Sequence, residues 1–140
     1  MVRFSDFDLI SILRNNARTP YVKIAETLGV TEAAIRKRIR KLESQGVIIK
    51  YTIKTNLRKI GFEVHALIGM DTEPDQYLAT LDKLKDMPEV VGLQSCGGDH
   101  MIMIECWFKT SQELAKFTRQ LESMKSVTKV CPAIILEKIK

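Results

Sequence analysis

The chain has 140 residues, 45% of them apolar, and a formal net charge of +5, which suits one large folded domain or two small ones. It contains no run of the roughly 18 to 20 apolar residues that a membrane helix needs, and its N-terminus lacks the apolar region of a secretion signal, so we expect a cytoplasmic protein. Residues 1–60 carry thirteen Lys and Arg against five Asp and Glu, whereas residues 61–140 carry nine against twelve, so a polyanionic partner is expected to meet the N-terminal part alone.

Two short helices are predicted at the start of the chain. Apolar residues recur at three- and four-residue spacing between Phe7 and Leu13, which predicts a helix from about Phe7 to Asn15 with Ser5 or Asp6 as its N-cap. Pro20 suits the first turn of a second helix, which Gly29 ends.

A third helix follows after a very short turn. Only Gly29 and Val30 separate the second helix from Thr31, which is a good N-cap for a helix that runs to about Gln45. Two helices joined in this way form a helix-turn-helix, in which the third helix is the candidate recognition helix. We therefore assign residues 1–50 to a helix-turn-helix DNA-binding domain.

The third helix has an apolar face and a cationic face. At about 100° per residue, Ile35, Ile39 and Leu42 lie together and must pack against the first two helices. Five of the six residues from Arg36 to Lys41 are Arg or Lys. Small residues near the start of a helix let it approach base edges in the major groove, while Lys and Arg reach phosphates or guanine. The predicted DNA-binding residues are Thr31, Glu32, Ala33, Arg36, Lys37, Arg40 and Lys41.

A solvated helix face is the competing interpretation of this charge, because it is the commonest one. Three features favour DNA: the charges are nearly all of one sign, they lie on the second helix of a tight turn, and they belong to the positive part of the chain. Arg38 differs, because it lies beside the apolar stripe. Arg38 could form a salt bridge to Glu43 or to an acid of the first helix, or it could contact DNA.

A strand is predicted in residues 47–56, VIIKYTIKTN, because the segment is rich in β-branched residues. It would form a wing or a bridge, in which Lys50 and Lys54 could lie near the DNA backbone, or a simple structural strand. Residues 51–62 are interpreted as strand and linker, with Gly61 as the pivot.

Residues 63–140 are predicted to alternate strand and helix in the order βαββαβ, which is that of a ferredoxin-like domain. The turn GGDH joins the second and third strands into a hairpin, and Thr110 and Glu113 have the spacing of a capping box. The chain as a whole is thus predicted to be α+β, with a winged-type helix-turn-helix domain before the ferredoxin-like domain. The predicted strands are EVHALIGM, EVVGLQSC, MIMIECWF and VTKVCPAIILEKI, and the predicted helices are PDQYLATLDKLKDM and TSQELAKFTRQLESM. The first of these helices places four residues on one face: Tyr77, Leu78, Leu81 and Leu84.

The predicted sheet has apolar residues on both faces, although helices usually cover only one face in this architecture. Residues 101–104 are four apolar residues in succession, so they supply both faces of one strand. A second copy of the chain would bury the face that the helices leave open. A homodimer also fits DNA binding, because paired helix-turn-helix units read palindromic sites about one DNA turn apart.

Residues 31–51, TEAAIRKRIRKLESQGVIIKY, resemble the signature of the Lrp/AsnC, or feast/famine, transcription regulators: a helix-turn-helix, Arg-apolar-x-x-Leu-Glu, then Gly-Val-Ile and a Tyr. DLISILRNNART resembles the family's first helix, and the resemblance covers essentially the whole chain. It implies a transcriptional regulator that binds double-stranded DNA, is not an enzyme, and needs no cofactor besides an amino-acid effector. It also implies that the C-terminal domain assembles dimers into larger oligomers, up to an octamer, and binds amino acids at the interfaces between dimers.

A Gly-x-x-Asp motif at the hairpin between the second and third strands contributes to the effector site in that family, and the hairpin here reads CGGDHM. Counting from Gly97 puts His100 where Asp is usual, and counting back from Asp99 puts Cys96 where Gly is usual. Independently of the family, the amides of Gly97 and Gly98, beside a carboxylate and an imidazole, could hold an amino acid. A plain hairpin turn is the alternative. The predicted effector-binding residues are Gly97, Gly98, Asp99 and His100.

Other functions have less support in the sequence. Cys96, His100 and Cys106 lack a recognised ligand spacing, so no metal site is predicted, and these cysteines and Cys131 are expected to be reduced thiols. No Ser/His/Asp constellation or phosphate loop indicates an enzyme. Sirohaem decarboxylases resemble the same two-domain architecture, but they would use His and Arg around a porphyrin-sized cleft, and this chain has two His. A nucleoid-organising protein would differ from a regulator only in its sequence preference.

Overall fold

The computed structural model describes residues 3–140, which form two units with a boundary between Lys54 and Thr55. The first unit contains three helices: α1 (Asp6–Asn15), α2 (Tyr21–Leu28) and α3 (Glu32–Ser44). The second unit contains four strands and two helices: β1 (Val64–Thr72), α4 (Tyr77–Lys85), β2 (Val90–Ser95), β3 (Ile102–Phe108), α5 (Ser111–Glu122) and β4 (Val127–Ile134). No helix within residues 3–140 combines the length and the apolar surface that crossing a membrane requires.

Local hydrogen bonds set the ends of the first three helices. Ser5 and Asp8 form a capping box, in which each backbone N–H donates to the other side chain at 3.0 Å. Gly29 ends α2 in the left-handed conformation, with φ of 68°, which glycine adopts without steric cost. Thr31 then begins α3, where its hydroxyl accepts a hydrogen bond from the Ala34 N–H at 3.1 Å. The predicted tight turn between α2 and α3 is thus confirmed.

The helix-turn-helix unit has its own apolar core. Ile35, Ile39 and Leu42 are at most 1% exposed, which confirms the predicted inward face of α3. They form one cluster with residues of α1 and α2: Leu9, Leu13, Ile24 and Ala25. Because a helix turns about 100° per residue, burial of this face directs the residues between those three away from the core.

The predicted strand in residues 47–56 is wrong, so the first unit is not winged and residues 51–62 contain no strand. Within residues 3–140, the backbone of this segment forms no ladder with any strand. β-branched residues favour strands because they pack well on a pleated sheet, but a strand needs a paired neighbour, and this segment has none among the described residues. The side chains of Ile49 and Ile53 are 87% and 81% exposed. The segment is an exposed connection in the single chain.

The second unit is built on an antiparallel sheet with the strand order β2-β3-β1-β4. β2 and β3 form the predicted hairpin. The connections through α4 and α5 each pass over one strand, so β1 lies between β3 and β4. This order confirms the predicted ferredoxin-like domain.

Helices cover one face of this sheet. Leu84 of α4 and Leu114, Phe117 and Leu121 of α5 are buried against the sheet. Alternate residues of the two central strands supply the rest of this core: Val64, Ala66, Ile68, Met70, Ile102, Ile104, Cys106 and Phe108. The opposite face, which carries Leu67 and Met103, is only half-buried.

One predicted position of α4 does not belong to the core. Leu78 is 73% exposed, whereas Thr80 is buried. Residues Pro74–Gln76 form a short 3-10 turn before α4, and the Thr80 hydroxyl donates to the Gln76 carbonyl at 2.7 Å. A threonine can occupy this buried position because its hydroxyl is satisfied within the helix.

Replacing the N-cap of α3 tests how this helix is held. Thr31→Ala is expected to lower the free energy of unfolding by about 1 kcal/mol, because the Ala34 N–H loses its acceptor. Thr31→Ser keeps the hydroxyl and should retain most of the stability. Thermal unfolding followed by circular dichroism measures both, and an equal loss in the two variants would contradict the capping role.

Candidate DNA interface and effector hairpin

The side of α3 that faces away from its core forms an open surface, which we call the DNA face. It is lined by Glu32, Ala33, Arg36, Lys37 and Arg40, which together form one shallow depression. All five are exposed, as are the other two predicted DNA-binding residues, Thr31 and Lys41. The small Ala33 leaves room near the start of the helix, and the cations follow after it.

The cations of the DNA face differ in how firmly they are held. Arg36 Nη2 donates to Glu32 Oε1 at 2.8 Å. The Arg36 guanidinium also lies over the Tyr21 ring, with 5.6 Å between Cζ and the ring centroid. Lys37 and Arg40, by contrast, make no hydrogen bond or ion pair with any residue in the described part of the chain.

Arg38 has a structural role. Its Nη1 donates to Asp6 Oδ1 at 2.7 Å, and its guanidinium lies over the Phe4 ring, with 4.6 Å between Cζ and the ring centroid. Because Asp6 begins α1, this ion pair joins α1 to α3. Of the alternatives left open for Arg38, the structure shows the salt bridge to an acid of the first helix, and Glu43 is not the partner.

The hairpin between β2 and β3 carries the predicted effector residues. The Cys96 N–H donates to the Met101 carbonyl at 2.9 Å, which closes the loop. Gly97, Gly98 and Asp99 are exposed at its tip. A methyl group added at either glycine would meet no atom within 4 Å, so the backbone of the tip is open to a ligand.

His100 points away from the exposed tip and binds to β1. Its Nδ1 donates to Asp71 Oδ2 at 2.9 Å, and the Met101 N–H donates to Asp71 Oδ1 at 2.9 Å. The hydrogen bond from His100 is the main cause that lowers the pKa of Asp71, so this carboxylate is ionised at neutral pH. The His100 ring lies over Gly69, where a Cβ would clash with it. These contacts anchor the base of the hairpin to β1. Three of the four predicted effector residues, Gly97, Gly98 and Asp99, remain at the exposed tip.

Sequence reasoning missed Asp71 and Gly69 as parts of this site. Both lie on β1, about thirty residues before the hairpin, and only the register of the sheet brings them under it. A signal was present, because a glycine inside a strand often marks the close approach of another group.

The open face of the sheet combines apolar side chains with polar atoms that lack partners. Within residues 3–140, His65 Nε2 and Trp107 Nε1 are buried and make no hydrogen bond. Glu105 Oε2 lies 3.5 Å from His65 Nε2, which is too long for a good hydrogen bond. Buried polar atoms are normally satisfied, so these two atoms are exceptions on this face.

The cysteines are free thiols, and burial raises the pKa of Cys106 to about 12. This thiol therefore stays protonated at neutral pH. In the part of the chain that the structure describes, no three His, Cys, Asp or Glu side chains come together in a way that could hold a metal ion.

Both units match known protein domains. Residues 5–43 match the AsnC-type helix-turn-helix domain, and residues 65–140 match the Lrp/AsnC ligand binding domain. The HTH-type transcriptional regulator LrpA of Pyrococcus abyssi is 43% identical over 141 residues, which span the whole of both chains.

Solved structures share the fold. A transcriptional regulator of Neisseria meningitidis, solved as a complex with L-methionine, aligns with a TM-score of 0.83 and 18% identity over 99% of this chain and 93% of that chain. A feast or famine regulatory protein of M. tuberculosis, also complexed with L-methionine, aligns with a TM-score of 0.79 and 22% identity over 96% of this chain and 92% of that chain.

The packing of His100 over Gly69 can be tested by a pair of substitutions. Gly69→Ala is expected to lower the free energy of unfolding by about 1 to 3 kcal/mol, because the added methyl group takes the space of the imidazole. In a His100→Ala background the same change should cost much less, since the methyl group then has room. Calorimetric unfolding of the four proteins measures this coupling, and equal costs in the two backgrounds would contradict the observed contact.

Proposed function

Because the chain belongs to the Lrp/AsnC family of transcriptional regulators, we propose that it binds specific duplex DNA sites through the DNA face. We further propose that an amino acid bound in the C-terminal unit modulates its assembly or its DNA affinity. The observation that carries the first part is the geometry of α3, whose apolar side is buried while its cationic side is open.

The charges and shape of the DNA face suit a major groove. Lys37 and Arg40 are exposed and have no protein partner in the described chain, so no internal ion pair must be broken before they meet phosphates. Ala33, near the N-terminal end of the helix, allows a close approach to base edges. Recognition helices of this motif lie in the major groove with their N-terminal residues against the bases.

A second copy of the chain is the proposed cover for the open face of the sheet. Its half-buried strand residues include Leu67 and Met103, and the same face carries His65 Nε2 and Trp107 Nε1, which make no hydrogen bond within residues 3–140. Association of two such faces would bury the apolar area and exclude water from it. A homodimer would also present two helix-turn-helix units to a palindromic site, and further assembly, up to an octamer, would present more.

The hairpin tip is the proposed contact for the effector. The backbone amides of Gly97 and Gly98 are accessible donors for a carboxylate, and the Asp99 carboxylate is an acceptor for an ammonium group. The two structurally similar regulators described above were solved with L-methionine, which supports an amino acid as the ligand class. An effector that binds one assembly better than another would shift the population toward it and so alter DNA affinity.

We do not propose an enzymatic activity, since the relatives are named as transcriptional regulators. A nucleoid-organising protein would bind DNA with little sequence preference, whereas the proposed regulator must discriminate. Competition between a selected duplex and random duplexes across a salt series separates these two functions.

Neutralising two cations of the DNA face tests the interface. Lys37→Gln/Arg40→Gln is expected to weaken binding to a duplex selected by the parent protein about tenfold or more, and to reduce the slope of log affinity against log salt by about two, because two phosphate contacts are lost. Fluorescence anisotropy across a salt series measures both quantities. The control is Lys83→Gln/Lys85→Gln, which removes the same charge from exposed positions of α4. An unchanged affinity in the first variant, or an equal loss in both, would refute the proposed interface.

Ligand binding to the hairpin is tested by thermal shift with each of the twenty amino acids. At least one is expected to raise the melting temperature, because a ligand that binds only the folded state stabilises it. The same amino acid should change the oligomer size in light scattering or the DNA affinity, and Asp99→Ala should abolish the shift. If no amino acid produces a shift, the effector proposal is wrong.

A further inference from the structure

The cations on α3 fall into three groups according to what holds them. Arg38 is bound to Asp6 and Phe4 and joins two helices. The side chains of Lys37, Arg40 and Lys41 have no hydrogen-bond or ion-pair partner in residues 3–140. Arg36 is intermediate: it lies on the DNA face, but its guanidinium is already oriented by Glu32 and Tyr21.

The orientation of Arg36 comes from two directions. Glu32 Oε1 accepts a hydrogen bond at 2.8 Å at one edge of the guanidinium, and the Tyr21 ring lies under its face. Arginine has five N–H donors in one plane, so one bond to Glu32 leaves the other donors available. The guanidinium can therefore bind a second planar group without losing its present contacts.

Stability does not explain the pair between Glu32 and Arg36. Their side chains are 50% and 49% exposed, and ion pairs at such exposure contribute little to folding. A carboxylate on the DNA face also repels phosphates, so it lowers affinity for DNA of any sequence. A residue that weakens general binding and orients one arginine favours discrimination over affinity.

The two kinds of target on DNA make different geometric demands. Guanine offers O6 and N7 in the major groove, and an arginine must present two donors in one plane to bind both. A phosphate accepts a cation from many directions and carries no sequence information. A side chain held in one orientation loses less entropy on binding, so an oriented guanidinium suits guanine and a free cation suits phosphate.

We infer that Arg36 reads a guanine in the major groove and that Glu32 and Tyr21 are the positioning residues that orient it, whereas Lys37 and Arg40 contact phosphates. This inference rests on the proposed entry of α3 into the major groove. It goes further by dividing specificity and affinity among particular residues of that helix.

The experiment is selection of duplexes from a random library by the full-length protein and its variants, followed by affinity measurement on the selected and scrambled duplexes. The parent protein is expected to select guanine at one position in each half-site. Glu32→Gln should reduce the preference for that guanine about tenfold while raising affinity for scrambled DNA. Arg40→Gln should lower affinity for both duplexes and reduce the salt slope by about one, with the guanine preference kept.

Two controls separate orientation from charge. Glu26→Gln removes the same charge from an exposed position of α2 that has no hydrogen bond or ion pair among the described residues, and it should leave the guanine preference unchanged. In an Arg36→Ala background, Glu32→Gln should have no further effect on base preference, because there is no guanidinium left to orient. Tyr21→Phe keeps the ring under Arg36 and should retain the preference.

Several outcomes would overturn the inference. An unchanged guanine preference in Glu32→Gln would exclude a positioning role. A change in base preference by Glu32→Gln in the Arg36→Ala background would show that Glu32 reads a base itself. A loss of the guanine preference in Arg40→Gln would show that Arg40 takes part in base reading and does not contact phosphate alone. If the parent protein selects no sequence at all, the proposed function of sequence-specific binding fails, and the inference fails with it.

Discussion

The burial of Ile35, Ile39 and Leu42 against α1 and α2 is the constraint on which the proposed DNA interface depends. These three side chains leave α3 no freedom to rotate about its axis, because each turn of the helix contributes one of them to the core. The opposite side of the helix must then face outward with its charges. The ion pair between Arg38 and Asp6 adds a second connection between α3 and α1 at the edge of the same core.

In this fixed orientation of α3, neighbouring cations have different partners, and these partners give them different roles. Arg36 and Arg38 are two residues apart, yet one is oriented on the DNA face and the other is bound to α1. Arg40 and Lys37 have neither kind of partner in residues 3–140. A count of charges in the helix treats these residues as equivalent, whereas the proposed DNA contacts depend on whether other side chains orient the cation.

The C-terminal unit follows the same rule of one buried face and one open face. The helices cover the first face of the sheet with apolar side chains. The second face retains Leu67 and Met103 together with His65 Nε2 and Trp107 Nε1, which make no hydrogen bond in the described part of the chain. Apolar side chains in water and buried polar atoms without hydrogen bonds both cost free energy. Association with a second copy would remove this cost. The hairpin between β2 and β3 is anchored beside this face through Asp71, so the proposed effector site and the proposed contact between copies would lie on neighbouring parts of one sheet.

Periodicity and capping by themselves determined the helices of the first unit, the inward face of α3, the order of elements in the second unit and the location of its hairpin, because these features depend on residues close in sequence. The wrong strand prediction in residues 47–56 has the same origin. β-propensity reflects how well side chains pack on a paired, half-buried sheet, and a local pattern does not show whether another strand pairs with the segment. Only the tertiary structure decided that Arg38 binds Asp6, 32 residues away, and that His100 binds Asp71, 29 residues away. Such contacts depend on helix packing and sheet register, which bring distant residues together and which no local pattern encodes.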